Sequence, residues 1–242
     1  MKSFDVISLD LFNTLVYIDR GSFDLWSHME KALLQFPELQ QKVPQISLND
    51  IITDYYSVVR QQIRNSESEK EFRNDDILFG VLERYVKPSP DLTSLASKII
   101  TYYFESALPL IHPFPGLHDT LTYLKEKEYT LVLASNHSWA QNGWDVLHRY
   151  NLVEFFDRII FSGDIGWRKP SPKVFSAAVS GLPYRSKDYI IHIGDEVEAD
   201  IKGALNFGIK ALWIRSPRYE SKNEISGVQE IISDISELPQ IL

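Results

Sequence analysis

Asp10 follows a short apolar run, Phe4-Asp5-Val6-Ile7-Ser8-Leu9, and leads into Leu11-Phe12-Asn13-Thr14. Ser135-Asn136 closes a second run, Leu131-Val132-Leu133-Ala134. Arg168-Lys169-Pro170-Ser171-Pro172 lies beyond a third, Arg158-Ile159-Ile160-Phe161. Gly194-Asp195-Glu196 closes a fourth, Tyr189-Ile190-Ile191-His192-Ile193, and Asp200 comes shortly after. These residue types form a coherent chemical set. Two carboxylates with a carbonyl oxygen suit Mg²⁺, a hard cation that takes few protein ligands and keeps waters. A carboxylate can also be a nucleophile, passing through an acyl-phosphate or ester. A lysine and a hydroxyl would hold the oxygens of a transferring group, and the cation would neutralise phosphate charge and orient the attack. The chain has no cysteine, so thiolate metal sites, disulfides and a cysteine nucleophile are excluded.

Each of these residues has a plainer role when taken alone. An Asp after a strand is commonly a turn former or helix cap, Ser135-Asn136 can cap the next helix, and Pro172 suits a helix's first turn. In this order, at four successive strand ends, they meet the criteria for one converging site. The elements that must position them follow from periodicity. The apolar runs read as buried strands. Helical patterns separate them over roughly 117–127, 139–149, after Pro172, and 197–207, the last ending at Gly208 before a strand from Ile209 to Ile214. This alternation implies a parallel sheet with helices on both faces, and ligands of such sheets bind beyond the strands' carboxyl ends.

Residues 17–111 have a different texture. Phe23, Trp26, Met29 and Leu33 recur at helical spacing up to Pro37, which stops the segment. Ser47 precedes Leu48, Ile51, Ile52, Tyr55, Val58, Val59 and Ile63, with Asp50 placed as in a capping box. Two further patterns carry Phe72, Ile77, Val81 and Leu82, then Leu92, Leu95, Ile99, Tyr103 and Phe104. Their aromatics read as core packing. His112-Pro113-Phe114-Pro115-Gly116 breaks the pattern. The organisation expected is therefore an α/β core from 1–16 and 112–242, interrupted by a helical insertion over 17–111.

The net charge of −8 argues against nucleic-acid binding. The loosest basic cluster, Arg215, Arg218 and Lys222, reads as a solvated loop. No apolar run reaches the roughly 18 residues of a membrane span, and Asp5 and Asp10 interrupt the N-terminal run where a signal peptide would be apolar. A cytoplasmic protein acting on a small molecule, with neither nucleic acid nor membrane as partner, is expected; oligomeric state has no signature here. The histidines are scattered, with His192 read as a core or edge residue of its strand. Dinucleotide, Walker and nucleophile-elbow loops are absent from the sequence.

With Asp10-Leu11-Phe12-Asn13-Thr14, Ser135-Asn136, Lys169-Pro170 and Gly194-Asp195 followed by Asp200 and Gly203-Ala204, the sequence resembles the haloacid dehalogenase (HAD) superfamily of hydrolases. The insertion between the first two motifs is similar to that family's helical cap. The resemblance implies a Rossmann-like core with Asp10 as nucleophile. Thr14 and Ser135, with Asn136 in the same motif, would hydrogen-bond the transferring group or the nucleophile, and Lys169 would neutralise charge between nucleophile and substrate. Mg²⁺ would be held by Asp10, Asp195 and the main-chain oxygen of Phe12, with Glu196 and Asp200 in support.

Position 12 departs from the family's phosphatases, which carry there a second Asp that protonates the leaving oxygen. Loss of such an acid–base group typically costs about 10²–10⁴-fold; His137, Glu196 and Asp19 are candidate replacements by proximity in sequence. An aromatic at this position is shared with the dehalogenase branch, which needs neither acid nor metal and uses a cap arginine, for which Arg20, Arg60 and Arg64 are available. The acidic fourth motif leans the other way, because acids beside a nucleophilic carboxylate repel unless a cation sits among them. The reading is a Mg²⁺-dependent phosphohydrolase of a small phosphorylated metabolite. A 2-haloacid dehalogenase and a non-catalytic binding protein on the same fold are the alternatives.

Overall fold

The structure is a computed structural model that describes residues 3–19, 21, 23–42, 47–64, 69–86, 90–215 and 226–242. Arg20, Arg218 and Lys222 lie outside the described residues. The chain divides into two compact units, one of Met1–Ile18 with His112–Leu242 and one of Asp19–Ile111.

The first unit is built on a parallel sheet. Its strands are β1 (Val6–Leu9), β4 (Thr130–Ser135), β5 (Arg158–Phe161), β6 (Ile190–Gly194), β7 (Lys210–Ile214) and β8 (Ile231–Ile232). Two short strands, β2 (Val16–Ile18) and β3 (Ile111–Pro113), pair separately. The six strands lie in the order β5-β4-β1-β6-β7-β8, so the expected α/β class holds. Every residue of β1 is buried, as a strand covered on both faces requires. The chain moves outward from β1 through β4 and β5, then returns to β1's other side for β6, β7 and β8. That reversal creates a crevice beyond the strands' carboxyl ends. Leu9 is level with Leu133 of β4 and Ile193 of β6, so Asp10, the end of β4 and Gly194 emerge side by side.

The helices of the second unit are α1 (Leu25–Leu34), α2 (Pro37–Lys42), α3 (Leu48–Arg64), α4 (Asn74–Leu82) and α5 (Pro90–Ala107). Met29 and Leu33, Ile51, Ile52 and Tyr55, Leu78 and Leu82, and Ile99 and Tyr103 form its interior. Trp26 stays exposed, so the aromatic series is only partly core. Pro37 does not merely stop a helix. It opens the short α2, because its ring suits a first helical position. Phe72 falls just ahead of α4 rather than within it.

In the first unit the helices are α6 (Leu117–Glu126), α7 (Ala140–Arg149), α8 (Ser162–Ile165), α9 (Pro172–Val179), α10 (Gly203–Phe207) and α11 (Leu238–Ile241). The helix expected over 197–207 divides in two: a π-helical turn, Val197–Lys202, precedes α10. Gly208 ends α10 at φ 89°, a left-handed conformation that costs glycine little. Phe175, Ile201 and Trp213 pack against β1, β4 and β7 residues in the unit's core. No helix among the described residues is long and apolar enough to cross a membrane.

Candidate active site

The loop after β1 is tightly tied. Asp10 N–H donates to Ile193 O at 2.9 Å, Leu15 N–H and Val16 N–H both donate to Leu11 O, and Asn13 N–H donates to Val16 O at 2.6 Å. Asn13 adopts φ 59° to make this turn, a conformation Asn tolerates better than most residues. The result is that Asp10, Phe12 and Asn13 face a cleft also walled by Ser135, Asn136, Arg168, Lys169, Asp195, Glu196 and Asp200. Four stretches far apart in sequence thus share one pocket within the first unit.

Lys169 is the hub. Its Nζ donates to Asp10 Oδ1 at 2.7 Å, Ala134 O at 2.7 Å and Asp200 Oδ1 at 2.5 Å. All three ammonium protons are therefore placed, and the side chain is 1% exposed. Its main chain is held as firmly: Lys169 N–H donates to Asn136 Oδ1 at 2.7 Å, and Asn136 Nδ2 donates to Lys169 O at 3.0 Å. Asn136 thus spends both amide groups on the lysine's backbone. Burial opposes the lysine's charge, but Asp10 and Asp200 outweigh it and hold its pKa above the ordinary value.

Asp200 lies in the π-helical turn Val197–Lys202, and its side chain reaches back to His192 of β6. A Cβ on Gly194 would lie 2.3 Å from Asp200 Cγ, so only glycine lets the carboxylate approach the strand. Both its oxygens are occupied: Oδ1 accepts from Lys169 and His192, and Oδ2 accepts from Glu196 N–H at 2.9 Å. Burial would raise its pKa; Lys169 and His192 reverse the sign and hold it low.

Asp195 is the opposite case. Trp213 Nε1 donates to its main-chain oxygen at 2.9 Å, fixing the backbone, yet its buried Oδ2 has no hydrogen-bond partner. Burial pushes its carboxyl up to about 8, and Asp10, Asp200 and Glu196 push the same way against the weaker pull of Lys169. Burial also raises Asp10, against the pull of Lys169. Oxygens of Asp10, Asp195 and Asp200 lie within 4.8 Å of one another. Lys169 and Arg168 share the cleft with the carboxyl groups of Asp10, Asp195, Glu196 and Asp200, so acidic groups outnumber basic ones there. A hard divalent cation fits that deficit and the free Asp195 oxygen. Asp200, with both oxygens taken, is poorly disposed to ligate it.

The remaining candidates separate. Ser135 is buried on the pocket wall, whereas Thr14 is buried with an unpartnered hydroxyl and does not line the cleft. Phe12 lines it, with its ring centroid 5.0 Å from that of His137. Burial pushes the His137 imidazole down to about 4, and its Nε2 lies 3.1 Å from Asn142 Oδ1. His137 is thus neutral near pH 7 and already engaged. Glu196 lines the cleft. Asp19 belongs to the second unit, as do Arg60 and Arg64, which are exposed on α3. Sequence reasoning passed over His192 and Trp213 as partners of the site. The signal for Trp213 was absent, because its contact runs between strands; that for His192 was its polarity in an otherwise apolar strand.

Comparison with known proteins places the chain in a family. Residues 38–214 match the family of haloacid dehalogenase-like hydrolases, a stretch that begins after Asp10 and so does not depend on it. The chain is 30% identical over 191 residues to a glyceraldehyde 3-phosphate phosphatase of Methanothermobacter thermautotrophicus, covering 77% of this chain and 81% of the relative. It is 26% identical over 147 residues to the pyrimidine 5'-nucleotidase YjjG of Escherichia coli, covering 60% of this chain and 63% of that one. Among solved structures, a 2-haloacid dehalogenase from Pseudomonas syringae superposes with a TM-score of 0.71 at 22% identity, over 98% of this chain and 97% of the other.

Proposed function

The chain belongs to the haloacid dehalogenase-like hydrolases, and within that family we propose that it is a Mg²⁺-dependent phosphohydrolase of a small phosphorylated metabolite, using Asp10 as nucleophile. The observation that carries this reading is the unpartnered, buried Asp195 Oδ2 beside an Asp10 that is already tied to Lys169. A dehalogenase displacing halide from carbon has no use for a carboxylate held in that state. The phosphatase named among the relatives supports the same choice.

Asp10 and Asp195, with the Phe12 carbonyl, would hold the metal, which when bound supplies positive charge to the phosphoryl oxygens. Lys169 holds Asp10 Oδ1, leaving Oδ2 to attack phosphorus. The P–O bond to the leaving group breaks, its electron pair departs with the leaving oxygen, and an aspartyl-phosphate remains on Asp10. Water then attacks that phosphorus as the P–O bond to Asp10 breaks, both water protons leave with the released phosphate, and the carboxylate is restored. Ser135, on the pocket wall, donates to a phosphoryl oxygen, whereas Thr14, off the cleft with an unpartnered hydroxyl, has no step in this scheme. Asn136 acts by clasping the Lys169 backbone, and Asp200 by holding its ammonium. Phe12 has no proton to give, and of the candidate replacements Glu196 lines the cleft; where Glu196 does not reach the leaving oxygen, departure without protonation favours leaving groups of low pKa. The helical unit Asp19–Ile111 takes the part of the family's cap and supplies substrate choice.

Turnover of a panel of acyl phosphates, sugar phosphates and nucleotides with Mg²⁺ tests this. Activity that Asp10→Asn abolishes and that chelation removes is the expected result. Metal-independent chloride release from 2-haloacids would favour the dehalogenase suggested by Phe12. Beryllofluoride bound at Asp10 with no turnover of any substrate would mark a binding protein.

A further inference from the structure

Beneath the pocket floor, His192 is fully buried on β6, level with Ser8 on β1 in the parallel ladder. Its Nδ1 lies 2.9 Å from Ser8 Oγ and its Nε2 lies 3.1 Å from Asp200 Oδ1. A carboxylate only accepts hydrogen bonds, so the proton must sit on Nε2. Burial lowers the imidazole's pKa, so the ring is neutral and its Nδ1 accepts from the Ser8 hydroxyl. Phe175 packs edge-on against the ring, centroids 5.2 Å apart. Each link therefore has a single polarity: Ser8 donates to His192, and His192 donates to the Asp200 oxygen that also receives Lys169.

We propose that Ser8 and His192 are positioning residues for Lys169, holding its ammonium on Asp10 by way of Asp200. The proposal rests on the reading that Asp10 and Lys169 work on the substrate. Asp200 has one oxygen fixed by Glu196 N–H and the other shared between Lys169 and His192. Without the imidazole, the shared oxygen keeps only the lysine and the carboxylate gains freedom to turn. Lys169 then tracks Asp200 instead of the nucleophile. A group that neutralises charge as it develops in the transition state contributes to kcat more than to substrate binding, so loss of its placement lowers kcat with little change in KM.

Two measurements on the full chain test this. The first compares kcat and KM of His192→Leu, His192→Gln and the double variant Ser8→Ala with His192→Leu, using the best substrate of the panel. His192→Leu is expected to lose about 10- to 100-fold in kcat, by analogy with the loss of hydrogen-bond partners behind metal ligands, while KM stays nearly constant. Glutamine, which offers a donor near the Nε2 position, restores most of the loss. The double variant leaves no orphaned serine hydroxyl, so a loss that persists there at unchanged Tm comes from Asp200 and not from a disturbed core. A kcat for His192→Leu within about 2-fold of the parent, or a glutamine variant as slow as the leucine one at equal Tm, overturns the proposal.

The second measurement is the ¹⁵N–¹H spectrum of the histidine imidazoles, without substrate. A neutral ring protonated at Nε2 is expected for His192, and a ring protonated at Nδ1 or at both nitrogens overturns the chain of donors. Absence of any turnover dependent on Asp10 would sink the functional reading instead, and the imidazole spectrum would still decide the hydrogen-bond chain.

Discussion

Phe12 lines the cleft beside Asp10 where a proton donor would be needed, and the nearest ring, His137, is neutral and bonded to Asn142. Under the proposed function, a leaving oxygen beside Phe12 would meet apolar surface there, with Glu196 the candidate acid that also lines the cleft. The expected outcome is a rate that falls steeply as the leaving-group pKa rises, measured with a series of substituted aryl phosphates. Phe12→Asp should flatten that dependence and raise turnover of alkyl phosphates by about 10²-fold or more, the lower end of a general acid's contribution; no gain would mean that protonation is not the limiting defect. Lys169 answers a different question. Lys169→Met leaves Asp10 and Asp200 buried without their shared ammonium. Breaking such a pair by removing one partner typically costs about 3–5 kcal/mol, read as a lower urea midpoint at neutral pH. The loss shrinks as pH falls, because protonation removes the uncompensated charges. Asp10, Lys169 and Asp195 were legible as types at strand ends. Which of them ended with a spare oxygen was not, since that depends on hydrogen-bond partners from four distant segments.

The π-helical turn and Gly194 form one device at the level of elements. Asp200 lies within the π-helical turn, a feature frequent at functional sites, and Gly194 leaves space for its carboxylate. Gly194→Ala would place a methyl 2.3 Å from Asp200 Cγ. It should cost about 1–3 kcal/mol, as overpacking does, and lower kcat by displacing Lys169's anchor. Chemical denaturation and steady-state kinetics check both parts; an alanine variant with parental kcat would show that Asp200 need not lie against the strand. The strands themselves were readable from apolar runs, with β1, β4, β5, β6 and β7 close to the segments expected. The short β2, β3 and β8 were not, because two or three residues carry no periodicity and are strands only by virtue of a neighbour.

Charge balance belongs to the whole molecule. Burial pushes the Asp195 carboxyl up to about 8 in the folded protein, against an unfolded carboxyl near the ordinary value. Between about pH 4 and 8 the folded state keeps a proton that the unfolded state has lost, so metal-free stability from this group falls as pH rises through that window and is level above it. Under the proposed function, Mg²⁺ would bind the ionised form and compete with that proton. The rise in Tm on adding Mg²⁺ should therefore grow from pH 6 to pH 8, and Asp195→Asn should flatten it. A shift in Tm independent of pH would remove Asp195 from the metal's ligands.

Strand–helix alternation, the polar residues at strand ends, the missing cysteine and the aromatic at position 12 were all properties of local sequence, because propensity and periodicity act within a few residues. The strand order, which sets Asp10 between Ser135 and Gly194, was decided by pairing between segments over a hundred residues apart. So was the division of labour among three similar aspartates. Asp200 is saturated by Lys169, His192 and Glu196, Asp10 is half-engaged, and Asp195 keeps a free oxygen. Burial and partnership assign those roles, and both exist only once the chain is folded.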